Sequence, residues 1–361
     1  MKILFYINIL SDGGAERVMA NLANYFSAKG NNVILVNTFK TDNEYKISAL
    51  VKRYYLESGI NINSNIVIRN FKRIYELRKI IKSERPELVV SFMKQPNTRN
   101  IIATLGLKKV KRIISVRVDS KIEYRGKFGY FISRAILPFA DGCVFQTREA
   151  KEWFPKTLQE KSKIIVNPVR EDFFSVVRKP VYGRIVTLGR LANQKNHKLL
   201  IKSFYDIKDK VPNSVLEIYG VGDEYPNLWA LINELELNDR VFLKGRTHQP
   251  EKVLESADIF VLSSDFEGMP NSLMEAMAAG VPCVSTDCLG GGAKFLIKDK
   301  VNGLLVPMKD DIKMSEALLT LLKDANFKDK IGIEARKTAE SFKPEKIYKQ
   351  WNDYFNEVLK E

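Results

Sequence analysis

The sequence predicts an α/β protein made of two doubly wound halves, each a parallel sheet with helices on its faces. Three observations carry this. Residues 1–9 form a near-continuous apolar run, Ile3-Leu4-Phe5-Tyr6-Ile7 at its centre, as in strands buried on both faces of a parallel sheet. The turn Asp12-Gly13-Gly14 and a helical pattern follow, and a second apolar run returns at Val33-Ile34-Leu35-Val36, which makes a right-handed βαβ unit. The same alternation recurs along the chain, interrupted at Asn167-Pro168-Val169.

In the first half, Val18, Met19, Leu22, Ala23 and Phe26 fall at helical spacing, and Lys29-Gly30 ends that helix. Further strands are expected near Ile66–Ile68, Leu88–Phe92, Ile113–Val116, Val144–Phe145 and Ile164–Val166. A helix is expected across Phe71–Ile81, with Lys72, Arg73, Arg78 and Lys79 facing outward. A linker falls at about 168–182. Strands then return at Ile185–Leu188, Val215–Tyr219, Val241–Leu243, Ile259–Leu262, Val281–Ser285 and Gly303–Val306. The last segment places Ile347, Trp351, Tyr354, Phe355 and Val358 on one helical stripe, which must dock somewhere. The expected domains are 1–170, 171–343 and a terminal helix 344–361.

The 361 residues suffice for two ordinary cores, and 45% apolar with 28% charged residues is the composition of a globular protein. No apolar run approaches the ~18 residues needed to span a bilayer. The apolar start reads as a buried strand rather than a signal peptide, because no small-residue cleavage site follows. Cys143, Cys283 and Cys288 lack zinc-like spacing, cannot all pair, and suit a reducing cytoplasm. The net charge of +15 is uneven: residues 1–170 hold 31 Lys and Arg against 14 Asp and Glu, and the rest is nearly balanced. That asymmetry suits an anionic partner of the first half, or a plain basic surface. No basic run interleaved with aromatics points to nucleic acid.

Four stretches can carry chemistry. The glycine turn Gly13-Gly14 after the first strand lets a ligand approach backbone at a helix start, or is simply a tight turn. In Gly189-Arg190-Leu191-Ala192-Asn193-Gln194-Lys195, Arg190 and Lys195 follow a strand and can clamp a diphosphate, or are two solvated cations. In Glu267-Gly268-Met269-Pro270-Asn271-Ser272-Leu273-Met274-Glu275, an acid precedes a helix start that exposes backbone amides, and a second acid follows inside. Glu267 suits sugar hydroxyls. Glu275 suits ribose hydroxyls, or closes a capping box with Ser272. In Val116-Arg117-Val118-Asp119, Arg117 suits an anion with Asp119 orienting it, or the two form a surface ion pair; Lys94 is a weaker candidate of the same kind. His197 reads as structural. No Asp-x-Asp, P-loop, GxGxxG or GxSxG occurs.

Together these pieces resemble glycosyltransferase family 4, whose GT-B fold has two Rossmann-like domains facing a cleft. Gly13-Gly14-Ala15-Glu16-Arg17 is similar to its N-terminal glycine loop, Arg190 and Lys195 to its phosphate clamp, and Glu267 and Glu275 to its E-x7-E pair. Asn302-Gly303-Leu304-Leu305-Val306-Pro307 is similar to its closing strand. The resemblance implies a retaining transferase that uses a nucleotide-activated sugar without a metal or other cofactor. Arg190 and Lys195 would neutralise the diphosphate, and Glu267 would bind the donor sugar, aided by amides around Gly268–Asn271, so that Gly268, Met269, Pro270 and Asn271 all line the donor site. Glu275 would bind ribose, and Gly13, Gly14 and Gly189 would let the donor in. Arg17, Lys94, Arg117 and Asp119 would lie on the acceptor side, with Arg117 catalytic where many members carry histidine.

The segment Gly292-Ala293-Lys294-Phe295-Leu296-Ile297 is similar to that of the N-acetylgalactosamine transferases of bacterial N-glycan assembly. This implies a UDP-N-acetylhexosamine donor and an undecaprenyl-diphosphate-linked acceptor at the inner leaflet. The basic first half would then rest on anionic lipid, placing the protein in the cytoplasm, peripheral to the membrane. The competing readings are a catalytically silent GT-B scaffold and a GT-B enzyme of another class.

Overall fold

The computed structural model describes every residue except Asp12, residues 58–64 and Glu361. Asp12, expected in the first turn, therefore lies outside the described residues. The chain divides into two compact units, Met1–Asn167 with the chain from Ile347 on, and Pro168–Lys346.

The first unit holds β1 (Lys2–Ile7), β2 (Asn32–Asn37), β3 (Lys52–Tyr55), β4 (Leu88–Phe92), β5 (Lys111–Ser115), β6 (Gly142–Phe145) and β7 (Ser162–Ile164). They form a parallel sheet in the order β3-β2-β1-β4-β5-β6-β7. The order reverses between β1 and β4, and the crevice beyond the carboxyl ends at such a reversal is where open α/β sheets take ligands. The helices α1 (Gly14–Ala28), α2 (Ile66–Glu84) and α3 (Lys94–Thr104) follow β1, β3 and β4.

The expectations fail at three places in this unit. The run Ile66–Ile68 is the first turn of α2 and not a strand; Asn65 caps it by accepting from the Val67 amide. Its three β-branched residues read as a strand, yet all three face solvent. β3 was not anticipated, because Lys52-Arg53-Tyr54-Tyr55 is an edge strand with no apolar run. Nor do all the basic residues of α2 face outward. Arg73 is buried, paired with Glu57 and stacked over the Phe39 ring. Arg78 donates to the carbonyls of Ala103 and Leu105 at 2.7 and 2.8 Å.

The terminal helix, Pro344–Lys360, docks on the first unit through its apolar stripe. Trp351 stacks on Phe92 at 5.7 Å, and Phe355 meets Phe26 at 5.0 Å and Phe5 at 6.4 Å. The Tyr354 hydroxyl accepts from the Cys143 amide at 2.8 Å, tying the helix to β6.

The second unit holds β8 (Arg184–Leu188), β9 (Val215–Tyr219), β10 (Val241–Gly245), β11 (Ile259–Leu262), β12 (Cys283–Thr286) and β13 (Leu304–Val306). This parallel sheet runs β10-β9-β8-β11-β12-β13, so its order reverses between β8 and β11. Its core joins Ile185, Leu216, Ile218, Ile259 and Val284 to helical residues such as Leu200, Phe204, Leu318 and Leu321. All three cysteines are free and buried.

Candidate functional site

The reversal point of the second unit brings together two stretches that lie 72 residues apart in sequence. The loop after β8 carries Arg190 and Lys195; the loop after β11 carries Glu267. Lys195 Nζ donates to Glu267 Oε1 at 2.6 Å. The Ser264 hydroxyl donates to the same oxygen at 2.8 Å. The loops are also stitched along their backbones. The Asp265 amide donates to the Gln194 carbonyl at 2.9 Å, Gln194 Nε2 to the Phe266 carbonyl at 2.8 Å, and Ser263 to the Lys195 carbonyl at 2.8 Å.

Local sequence explains how each side chain is held. Lys195 ends a single 3-10 turn, Asn193–Lys195, and Asn196 takes a left-handed φ of +44° that turns the chain into the helix His197–Tyr205. Asn196 caps that helix and donates Nδ2 to Asp265 Oδ1 at 2.9 Å. Asn is among the few residues that tolerate this conformation. Gly189 leaves room for the lysine stem, since a Cβ there would meet Lys195 Cε at 3.2 Å. Gly292 is held still more tightly; a Cβ would lie 1.9 Å from the Gly268 carbonyl oxygen, so the Glu267–Gly268 loop rests directly on backbone after β12.

Arg190 is exposed, with no side-chain hydrogen bond or ion pair among the described residues. Of the two expected clamp cations, one is thus open and the other already engaged by the sugar-side carboxylate. Met269 and Pro270 are buried, and Gly268 and Asn271 half-buried. The helix Asn271–Ala278 starts with Pro270 as its cap and no side-chain capping bond, which places Ser272 inside the helix. The capping-box reading of Glu275 therefore fails. Glu275 is buried at the fifth helical position and interacts electrostatically with Arg170. His197 is buried, and burial with the neighbouring Lys195 pushes its pKa down to about 4, so it is neutral and structural.

In the first unit, Gly13 caps α1 with extended backbone, and Gly14 opens the helix. The Glu16 carboxylate folds back over Gly13, where a Cβ would lie 1.7 Å from Oε2. Arg17 is half-buried in the next turn. Across the reversal point, Lys94 begins α3. Its amide donates to Glu123 Oε1 at 2.7 Å, and its ammonium lies 5.5 Å from the Tyr124 ring centroid.

Arg117 is not the open cation expected from the sequence. It is 6% exposed, its guanidinium 4.0 Å from the Phe92 ring centroid and 5.5 Å from that of Trp351. Nη1 donates to Asn167 Oδ1 at 2.8 Å, and Gln146 meets the same oxygen at 2.7 Å. Burial lowers its pKa to about 9, which leaves it a cation at neutral pH. Asp119 does not orient it. Its carboxylate caps the helix Ser120–Glu123, accepting from the Ile122 amide at 2.9 Å. The two are therefore not partners of each other: the cation stacks between Phe92 at the end of β4 and Trp351 of the terminal helix, and the acid starts a helix.

Sequence reasoning missed Glu123 and Met93. Burial pushes the Glu123 carboxyl up to about 7 despite the Lys94 amide and ammonium, and its Oε2 has no partner. Met93, the cap of α3, sits at φ +77°, ψ 157°, a region that costs a side-chain-bearing residue roughly 1–3 kcal/mol. Strain of this kind gathers at ligand sites, but nothing in Ser91-Phe92-Met93-Lys94 signals it.

Two family models together match residues 12–338, "Glycosyltransferase Family 4" over residues 12–173 and "Glycosyl transferases group 1" over residues 169–338. The chain belongs to glycosyltransferase family 4. Among its relatives is the GalNAc-alpha-(1->4)-GalNAc-alpha-(1->3)-diNAcBac-PP-undecaprenol alpha-1,4-N-acetyl-D-galactosaminyltransferase of Campylobacter jejuni, 28% identical over 99% of both chains. A second, from the same organism, is the N-acetylgalactosamine-N,N'-diacetylbacillosaminyl-diphospho-undecaprenol 4-alpha-N-acetylgalactosaminyltransferase, 27% identical over 96% of this chain and 97% of the relative. Among solved structures, Anabaena HepE in complex with UDP matches this glycosyltransferase with a TM-score of 0.80, covering 99% of this chain and 100% of that one at 16% identity. The glycosyltransferase thus has the GT-B fold of two Rossmann-like domains.

Proposed function

We propose that this glycosyltransferase moves an N-acetylhexosamine from a UDP-sugar onto an undecaprenyl-diphosphate-linked saccharide in bacterial glycan or surface-polysaccharide assembly, with retention at the anomeric carbon. The observation that carries the donor half is the Lys195–Glu267 bond, which puts a cation and a carboxylate from separate motifs at one sheet reversal. The donor's diphosphate takes Arg190, whose fork is open, together with Lys195. As Lys195 turns to the phosphate, Glu267 is released to the sugar hydroxyls, and the amides around Gly268–Asn271 add donors at a helix start. Glu275, one turn inside, serves the ribose. Neutralisation of the leaving diphosphate by side chains takes the place of a metal in this scheme. The acceptor half is drawn from the two Campylobacter relatives, whose names specify undecaprenol-linked substrates. Gly13, Gly14, Arg17 and Lys94 follow β1 and β4 at the reversal point of the first unit; in this reading Arg17 and Lys94 meet the acceptor, and Gly13 and Gly14 let the donor in.

We place the enzyme on the inner face of the cytoplasmic membrane. No helix among the described residues is long and apolar enough to cross a membrane. α2, however, exposes Ile66, Val67, Ile68, Phe71 and Tyr75 beside the exposed Lys72, Lys79 and Lys82. Exposed apolar and basic residues on one helix suit an anionic interface. A screen of nucleotide sugars against a lipid-diphosphate-linked saccharide, read by mass and by the anomeric coupling of the product, tests the reading. Transfer from UDP-N-acetylhexosamine with retained configuration is expected; inversion, or transfer from none of the UDP-sugars, would overturn it.

A further inference from the structure

Beyond β5 the first unit departs from the regular alternation. Two short helices, Ser120–Glu123 and Gly126–Phe131, run into a wider turn at Ile132–Ile136. Between them and the residues after β6 lies an open pocket of about 420 Å³, lined by Lys121, Tyr124, Arg125, Lys127, Tyr130 and Trp153.

The pocket has a built wall. The Arg134 guanidinium lies 4.9 Å from the Tyr130 ring centroid and 4.5 Å from that of Trp153. Its Nη2 donates to the Trp153 carbonyl at 2.5 Å, which fixes the cation. Tyr124 packs on Trp153 at 6.0 Å and edge-on to Phe154 at 5.4 Å. Tyr124 and Trp153 thus hold each other, and the half-buried Arg134 ties Trp153 to the exposed Tyr130. The charge at the pocket is of one sign. Lys121, Arg125 and Lys127 are exposed around the rings, and no carboxylate is among the lining residues. A cluster of like charges beside apolar faces is unfavourable when empty and is relieved by an anion that also carries an apolar face. Tyr124 also joins the pocket to the expected acceptor edge, because the Lys94 ammonium stands over its ring.

We infer that this pocket is a subsite for a phosphorylated sugar, with the pyranose against Tyr130 and Trp153 and the phosphate on Arg125 and Lys127. This deepens the proposed function and rests on it: the subsite would hold the sugar–phosphate end of the acceptor while its other end meets the donor. A neutral saccharide leaves the cations without a role, and a bare anion leaves the rings without one.

The test is calorimetry on the full chain with UDP present in excess, which occupies the donor site. The probes are N-acetylglucosamine 1-phosphate, N-acetylglucosamine and inorganic phosphate. The sugar phosphate should bind better than either fragment. An Arg125→Ala, Lys127→Ala double variant, which changes only exposed side chains, should weaken it ~10-fold or more, the scale of losing charged hydrogen bonds, and leave UDP binding and melting temperature as they were. Equal binding of sugar phosphate and inorganic phosphate would reduce the site to a basic surface and overturn the inference. So would unchanged affinity in the double variant, or binding abolished by UDP, which would put the probe in the donor site. Failure of UDP itself to bind would instead strike the donor assignment, and the comparison of wild type with double variant would still read the pocket.

Discussion

Lys195 and Glu267 are hydrogen-bonded to each other at 2.6 Å, with side chains only 17% and 10% exposed. The two residues expected to hold opposite ends of the donor, phosphate and sugar, are partners in the free protein. Each keeps the other's charge compensated where water is scarce, so Lys195→Ala does more than remove a phosphate ligand. It leaves Glu267 with Ser264 as its remaining side-chain partner. Breaking such a pair costs up to about 3–5 kcal/mol when fully buried, and less here because both groups retain some water. Thermal unfolding should therefore show Lys195→Ala and Glu267→Ala both destabilised, with the double variant less so than their sum. Strict additivity would mean that the pair is not formed in solution.

Arg190 separates binding from stability. Its side chain is exposed and has no ion pair among the described residues, so Arg190→Ala should melt within ~0.5 kcal/mol of wild type. Transfer should fall by ~10²-fold, the scale of losing one transition-state donor. Near-normal turnover would remove Arg190 from the diphosphate clamp.

Arg117 behaves in the opposite sense. Its guanidinium is stacked on Phe92 and Trp351, so Arg117→Ala should lower stability by about 1–3 kcal/mol, in part by leaving Asn167 and Gln146 without their cation. Trp351→Ala, which empties the centre of the terminal helix's docking face, should cost about 3–5 kcal/mol. Denaturant melts that leave Arg117→Ala unchanged while transfer collapses would restore a direct part in the reaction.

Glu123 gives the protein a pH dependence. Burial raises its carboxyl to about 7, so the folded state holds a proton that the unfolded chain releases in the ordinary carboxylate range. Stability from this group is present at low pH and is lost as pH rises towards about 7. Glu123→Gln should flatten that fall, and its melting temperature relative to wild type should increase from pH 5 to pH 8. The facing Tyr124 hydroxyl, pushed up by burial, keeps its proton across this range. A constant difference in melting temperature would show that the carboxylate is already ionised at pH 5.

Membrane attachment through α2 should depend on both its exposed rings and its charge. Phe71→Ser with Tyr75→Ser should release the protein from vesicles containing anionic lipid, and wild type should be released by salt. Retention of the ring variant at low and high salt would place the contact elsewhere.

The two doubly wound halves were legible because parallel strands buried on both faces read as apolar runs, as Ile3–Ile7 and Ile259–Leu262 do. What failed did so where burial and pattern part company. Ile66-Val67-Ile68 carries the residues of a strand but faces water at a helix start, and Lys52-Arg53-Tyr54-Tyr55 is a strand with the residues of a loop. The proposed donor residues were legible as motifs, since spacing within one loop survives in sequence. Their pairing was not, because the adjacency of β8 and β11 is a property of strand order. The expected pairing of Arg117 with Asp119 failed for the same reason. Neighbours in sequence, they point to different tasks, one under Trp351 and one at a helix cap. Glu123 carried no local signal at all; its raised pKa comes from what folds around it.

The most direct test of the account is a calorimetric titration of UDP and GDP into wild type and Arg190→Ala. The account predicts that UDP binds wild type in preference to GDP and that the variant loses ~10-fold or more of that affinity. Binding of neither nucleotide, or equal UDP affinity in the two proteins, would contradict it.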